Sequence, residues 1–323
     1  MGSVIFDSKT YPLEQNESVL DCLLRHGINI PHGCKAGACQ SCVMRSSSNL
    51  PAIAQKGLKQ SQKELGYFLS CSCIPTEDIE AALGDDLLER HQTQVLDIKK
   101  LNSQIFRIRL HAPFNFKAGQ YINIWLNDVI TRSYSIASTA SENHIELHVK
   151  VLENGRFSSW AYNHLNVGDA LNIQGPIGDC IYTNDRPDAP ILMAGIGTGL
   201  APLFGILKDA LTAGHTGRIQ LLVGAREAKN FYLCETLNSL AERHANLEVR
   251  FSANEGNHSA IDPQTFTRES IYDLAKSIAP NAQGYRIYLC GAPTFVNKMR
   301  KQCFLTGASM QDIHCDAFLP SAD

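Results

Sequence analysis

The chain has 323 residues, 44% hydrophobic and 19% charged, with a formal net charge of −3, which suits a soluble protein large enough for two or three cored domains. This balance lacks the basic excess that nucleic-acid or anionic-membrane binding calls for, and no apolar run reaches the ~18 residues of a membrane span. Eleven cysteines, an odd number, and an opening MGSVIFDSKTYPL without a charged-then-apolar leader make a reducing, cytoplasmic location the expectation.

In chain order, short strands are predicted at Val4–Phe6 and Tyr11–Leu13, then a helix over Ser18–Arg25 that Ser18 can cap and Gly27 can end. The loop PHGCKAGACQSC follows, where Gly33 and Gly37 suit tight winding because glycine adopts positive φ freely. LSCSC reads as a returning strand, on which Cys71 and Cys73 would share a face. The charged stretch LGDDLLERHQ has no strand pattern and reads as a linker after a first domain at 1–84. A second domain, 92–184, holds six short strand patterns (VLDIKKL, IFRIRLHAP, GQYINIWL, RSYSIAS, IELHVKVL and ALNIQGPIG) and one helix near SSWAYNHL, which predicts a small antiparallel β-barrel. After the turn-rich TNDRPDAP, 188–323 alternates five strands with four helices, the rhythm of a doubly wound parallel α/β sheet.

Cys34, Cys39 and Cys42 give C-x4-C-x2-C with a distant fourth cysteine, the plant-type [2Fe-2S] spacing; zinc sites favour paired C-x2-C. Cys22, Cys180, Cys234 and Cys303 read as small buried hydrophobes. Gly195, Gly197 and Gly199 in AGIGTGLAP lie between a strand and a helix, where a tight turn lets phosphate reach free helix N–H groups. Gly224–Arg226 and Cys290–Pro293 end two further strands on the same sheet edge. In RSYS, Arg132 and Tyr134 share a strand face, offering charge for phosphate and a ring for stacking. GRFSSW, Gly155 to Trp160, opens a helix with Ser158 available as its cap.

Across essentially its whole length the chain resembles the ferredoxin-NAD(P)H reductase superfamily, in the class whose N-terminal plant-type ferredoxin domain serves multicomponent oxygenases. The resemblance implies a β-grasp ferredoxin domain and picks Cys71 over Cys73 as the fourth ligand with Cys34, Cys39 and Cys42. It implies FAD on Arg132, Tyr134, Ser135, Gly155 and Ser158, and NADH, with NADPH the alternative, on Gly197, Thr198, Gly199, Cys290 and Gly291. Arg226 could meet a 2'-phosphate. Ser135, Cys290, Asp316 and Phe318 are the implied residues around the reacting rings. The implied activity passes electrons from NAD(P)H through FAD and the cluster to an oxygenase or ferredoxin, from a monomer, with Lys35 and Arg45 beside a cluster loop expected at an exposed tip. The other readings are a reductase for a sugar-deoxygenation dehydratase and a redox sensor without turnover. Gln40 and Ile196 depart from the family pattern, each standing where glycine is usual.

Overall fold

The computed structural model describes residues 2–84, 89–256, 259 and 261–319; residues 85–88 of the expected linker, and Pro320 of the terminal CDAFLP, lie outside the described residues. The N-terminal part runs β1 (Ser3–Phe6), β2 (Lys9–Pro12), α1 (Val19–Arg25), β3 (Val43–Arg45), α2 (Gln60–Glu64), β4 (Tyr67–Leu69), β5 (Ile79–Glu80) and β6 (Ala82–Leu83). Two three-stranded sheets form, β2-β1-β5 and β4-β3-β6, with β1 and β5 parallel. They close on α1, whose Val19, Leu20, Cys22 and Leu23 are buried at helical spacing among Phe6, Met44 and Phe68. Ser18 does cap α1: its Oγ accepts from the Asp21 N–H at 3.1 Å, and Gly27 follows the helix at φ 77°. Cys71 departs from expectation, lying on a 3-10 turn, Ser70–Ser72, after β4. The turn separates the neighbouring thiols that a strand would have aligned, and Cys73 is buried in the core.

The six barrel strands are β7 (Arg90–Lys100), β8 (Ile105–His111), β9 (Tyr121–Trp125), β10 (Thr131–Ser135), β11 (His144–Lys150) and β12 (Ala170–Ile177), with α3 (Arg156–His164) between the last two. Their order is β10-β9-β12-β7-β8-β11, and an Ile136–Leu147 bridge with the Ala137 N–H to Glu146 carbonyl bond at 2.8 Å joins the two ends. The polar Arg90–Gln92, read as linker, already belong to β7, where they pair with Gln174–Asn172 of β12. Alternation sends Ile145, Leu147 and Val149 of β11 into the barrel core, while Glu146 and His148, on the other face, are also buried.

The last part comprises β13 (Ile191–Ile196), α4 (Leu200–Thr212), β14 (Ile219–Glu227), α5 (Cys234–Arg243), β15 (Leu247–Glu255), β16 (Phe266–Thr267), α6 (Ile271–Ile278), β17 (Arg286–Gly291), α7 (Pro293–Leu305) and β18 (Ile313–Ala317). Its strands lie parallel in the order β16-β15-β14-β13-β17-β18. Ile191 and Met193 face the core under α4 and α5, and Leu192 and Ala194 face the one under α6 and α7. The order reverses between β13 and β17, which opens a crevice at the carboxyl ends of the strands.

Candidate functional site

The cysteine loop leaves Ile30 and winds so that backbone N–H groups point at sulfur: Cys34 N to Cys39 Sγ, Ala36 N and Cys39 N to Cys34 Sγ, all at 3.4 Å, and Gly37 N to Cys71 Sγ at 3.3 Å. Gly37 takes φ 74°, as winding requires. Gly33 is needed for a different reason: its φ is not left-handed, but a Cβ there would stand 2.7 Å from Thr131 Oγ1. The sulfurs fall into two pairs, Cys34 with Cys39 and Cys42 with Cys71. Two irons taking two cysteines each suit that arrangement, whereas among the described residues no group of three or more ligands converges on a single ion. Hydrogen bonding from Cys39, against burial, holds the Cys34 thiol down at about 5, and that from Cys42 holds Cys71 at about 7. Cys73 is pushed up to about 12 by burial. The donor set therefore fits a [2Fe-2S] cluster on Cys34, Cys39, Cys42 and Cys71. Gln40 sits at φ 58°, a conformation that glycine adopts more freely, and its Nε2 donates to the Gly57 carbonyl at 3.1 Å.

The loop is not an exposed tip. Cys39 and Cys42 are each 3% exposed, and the loop packs against β9 and β10: the Tyr121 hydroxyl donates to the Ala38 carbonyl and Asn123 Nδ2 to the Cys39 carbonyl, both at 2.8 Å. A cleft of about 1130 Å³ runs from Cys34 and Cys39, past β10, to the carboxyl ends of the parallel strands.

On the barrel side Arg132, Tyr134 and Ser135 line this cleft, as do Gly155 and Ser158 at the start of α3. Tyr134 packs on Phe157 with ring centroids 5.3 Å apart. Ser158 does not cap α3, because Gly155 holds that position; the Ser158 Oγ accepts from the Leu152 N–H at 3.2 Å and ties down the preceding loop. Ser135 Oγ donates to Asp316 Oδ2 at 2.6 Å, joining barrel to β18. Burial raises the Asp316 carboxyl to about 6, partly opposed by that hydrogen bond. Between the ordinary carboxylate range and about 6, the folded state keeps a proton the unfolded chain has released, so stability falls as pH rises through that window. Asp316→Asn is accordingly expected to raise stability at pH 7 by about 1–3 kcal/mol, measured by thermal unfolding, while slowing turnover.

On the parallel sheet, Ile196, Gly197, Thr198, Gly291, Arg226 and Phe318 line the same cleft. Gly199 lies beneath the turn, where a Cβ would overlap the Cys290 carbonyl oxygen, so Gly199→Ala is expected to cost about 1–3 kcal/mol and weaken nucleotide binding, read by thermal unfolding and NADH titration. Phe318 is anchored by its N–H to the Gly291 carbonyl at 2.8 Å. Cys290 does not fit its expected place: it is fully buried, its thiol faces Cys180 in the core under α4, and only its backbone approaches the glycine turn. Tyr121, Asn123 and Thr131, which join the barrel to the cysteine loop, were not picked out by sequence reasoning. As ordinary strand residues whose contacts lie more than 80 positions away, they carry no local signal.

The volume of the cleft, its open glycine turn and the phosphate-competent start of α3 fit two dinucleotides, and the paired cysteines fit an iron–sulfur cluster. Such a fold and site define a pyridine-nucleotide-dependent flavin and iron–sulfur oxidoreductase. Three family descriptions match in succession: 2Fe-2S iron-sulfur cluster binding domain over 5–76, oxidoreductase FAD-binding domain over 94–182 and oxidoreductase NAD-binding domain over 192–301. The reductase component of the naphthalene 1,2-dioxygenase/salicylate 5-hydroxylase systems of Ralstonia sp. is 31% identical, with 95% of each chain covered. Protein RfbI of Salmonella typhimurium is 28% identical, over 95% of this chain and 93% of its own. The solved structure of the Amycolatopsis cytochrome P450 reductase GcoB aligns over 99% of both chains with a TM-score of 0.70 and 26% identity. The chain belongs to the ferredoxin-NAD(P)H reductase superfamily, in the group with an N-terminal [2Fe-2S] domain.

Proposed function

We propose that this chain is the reductase component of a multicomponent oxygenase, taking electrons from NADH and delivering them to the oxygenase or its ferredoxin. The observation that carries this reading is the single cleft that touches both the cysteine loop and the glycine turn of the parallel sheet. When bound, FAD accepts a hydride and releases electrons singly, and the cluster carries one electron at a time. The chain's own part is to hold and orient. Arg132 and the start of α3, with Gly155 and Ser158, would hold the FAD diphosphate, and Tyr134 and Phe318 would flank the ring system. Ser135, oriented by Asp316, would serve as the hydroxyl beside the reacting atoms. The turn Gly197–Gly199 and the backbone at Gly291 would take the nicotinamide nucleotide.

NADH is the proposed donor because Arg226 is the only cation among the described residues that the parallel-sheet part contributes to the cleft, and nearby Lys229 is paired with Glu227 at 2.7 Å. A 2'-phosphate ordinarily needs more positive charge than that. The similarity to protein RfbI, whose name mentions no oxygenase, supports an acceptor outside oxygenase systems as the second reading. Anaerobic rapid mixing with NADH or NADPH tests the path: flavin and then cluster absorbance should bleach, with NADH far more effective. Well-folded protein that binds FAD but does not oxidise pyridine nucleotide would overturn it in favour of a sensor. Reduction of a purified oxygenase component then tests the acceptor.

A further inference from the structure

Among the described residues the N-terminal sheets share no hydrophobic core with the barrel, since their apolar cluster is built from residues between Val4 and Ala81. Their attachment is polar and falls on the loop that carries the candidate cluster ligands. The His32 N–H donates to the Val129 carbonyl at 2.8 Å and the Thr131 N–H to the His32 carbonyl at 3.2 Å, so the chain entering the loop pairs beside β10. The Tyr121 hydroxyl then reaches the Ala38 carbonyl, Asn123 Nδ2 the Cys39 carbonyl, and Thr131 Oγ1 lies 2.8 Å from Ser41 Oγ. Asn123 is itself fixed, because its Oδ1 accepts from Ser133 Oγ at 2.7 Å. Tyr121 stands opposite Ser135 in the β9–β10 register, so one strand residue bridges the Ser135 neighbourhood and the cysteine loop. The missing side chain of Gly33 permits this approach.

We propose that Tyr121, Asn123 and Thr131 are positioning residues that seat the Cys34–Cys42 loop on the barrel and thereby set the rate at which electrons enter the iron–sulfur domain. This rests on the electron path proposed above. Polar seating is more sensitive to single atoms than apolar packing would be, since the Tyr121 and Thr131 bonds can each be removed by deleting one hydroxyl.

The test uses the full-length loaded protein with Tyr121→Phe and Thr131→Val combined. Amide hydrogen exchange across residues 33–41 should rise, and cluster bleaching after NADH mixing should slow on the order of tenfold relative to flavin bleaching, the effect expected from losing two ordinary hydrogen bonds. Replacing Thr131→Val by Thr131→Ser in the pair should restore part of the rate, a rescue that a general loss of stability would not give. Unchanged exchange, or raised exchange with an unchanged ratio of cluster to flavin bleaching, would overturn the proposal. A wild-type chain whose flavin bleaches while its cluster stays oxidised would overturn the electron path together with this proposal, and that failure is recognised without any substitution.

Discussion

Cys71→Ala is expected to yield protein that keeps its flavin and lacks the [2Fe-2S] absorption and iron content, whereas Cys73→Ala keeps both. The two thiols are two positions apart, but the 3-10 turn after β4 gives them opposite surroundings. Cys71 Sγ receives the Gly37 N–H and pairs with Cys42, and hydrogen bonding lowers its thiol below the usual range, which favours the thiolate that iron ligation requires. Cys73 is fully buried among apolar side chains, where it behaves as a small hydrophobe. Its truncation should cost about 1 kcal/mol of packing and leave the cluster intact. Because ligation and folding are linked, Cys71→Ala should also loosen the N-terminal sheets, seen as earlier thermal unfolding of that part. Iron analysis and visible absorption decide the matter: a cluster retained in Cys71→Ala and lost in Cys73→Ala would reverse the assignment.

The assignment of Cys71 also marks how far sequence alone carries. Barrel and parallel sheet were legible because their strands alternate or run apolar over five or more residues with Gly, Pro and Asn between them, as in β8, β11 and β13. The short β5, β6 and β16 were not, since two residues cannot display a period. A strand reading for LSCSC was reasonable by composition, yet the chain breaks into a turn so that Cys71 can face the loop. Motifs that act through local geometry, such as the cysteine loop and the glycine turn, could be recognised from spacing. Sites made by distant pairing could not: nothing in the order of residues places Tyr121 on Ala38 or turns the Cys290 thiol toward Cys180. Ser158 illustrates the same limit, since its hydroxyl serves the loop before the helix, not the helix end.

Glu146→Ala is expected to destabilise the folded chain by about 3–5 kcal/mol, the largest single-residue stability effect proposed for this protein. Glu146 is 3% exposed on the outer face of β11, a poor place for a charge unless it is fully partnered. Its Oε2 accepts from Arg109 Nε at 2.8 Å and its Oε1 from His148 Nε2 at 3.1 Å. Burial lowers the His148 pKa, so the ring is neutral at pH 7, with Nε2 donating to Glu146 and Nδ1 accepting from the Tyr232 hydroxyl at 3.2 Å. Through this relay the barrel is joined to the loop after β14, and the Lys208 to Glu142 ion pair at 2.5 Å joins it to α4 nearby. Removing the carboxylate leaves Arg109 and His148 without their acceptor and loosens that junction. Burial alone would raise the Glu146 carboxyl, but hydrogen bonds from His148 and Arg109 and the charge of Lys208 outweigh it and bring it to about 2. The folded pKa is therefore depressed, so this stabilisation is present above the ordinary carboxylate range and is lost as pH falls toward about 2. Asp316 acts in the opposite sense and in a higher window, stability falling as pH rises toward about 6. Wild type should thus lose stability steeply on the acid side, while Glu146→Ala, already without the ion pair, should show a shallower acid limb. Glu146→Gln, which retains an acceptor oxygen for Arg109 but no titratable carboxyl, should lie between them in stability at pH 7 and share the shallow acid limb of Glu146→Ala. Thermal unfolding of the three proteins from pH 3 to pH 7 would measure this, and equal acid slopes in wild type and Glu146→Ala would show that the buried carboxylate does not hold the two parts together.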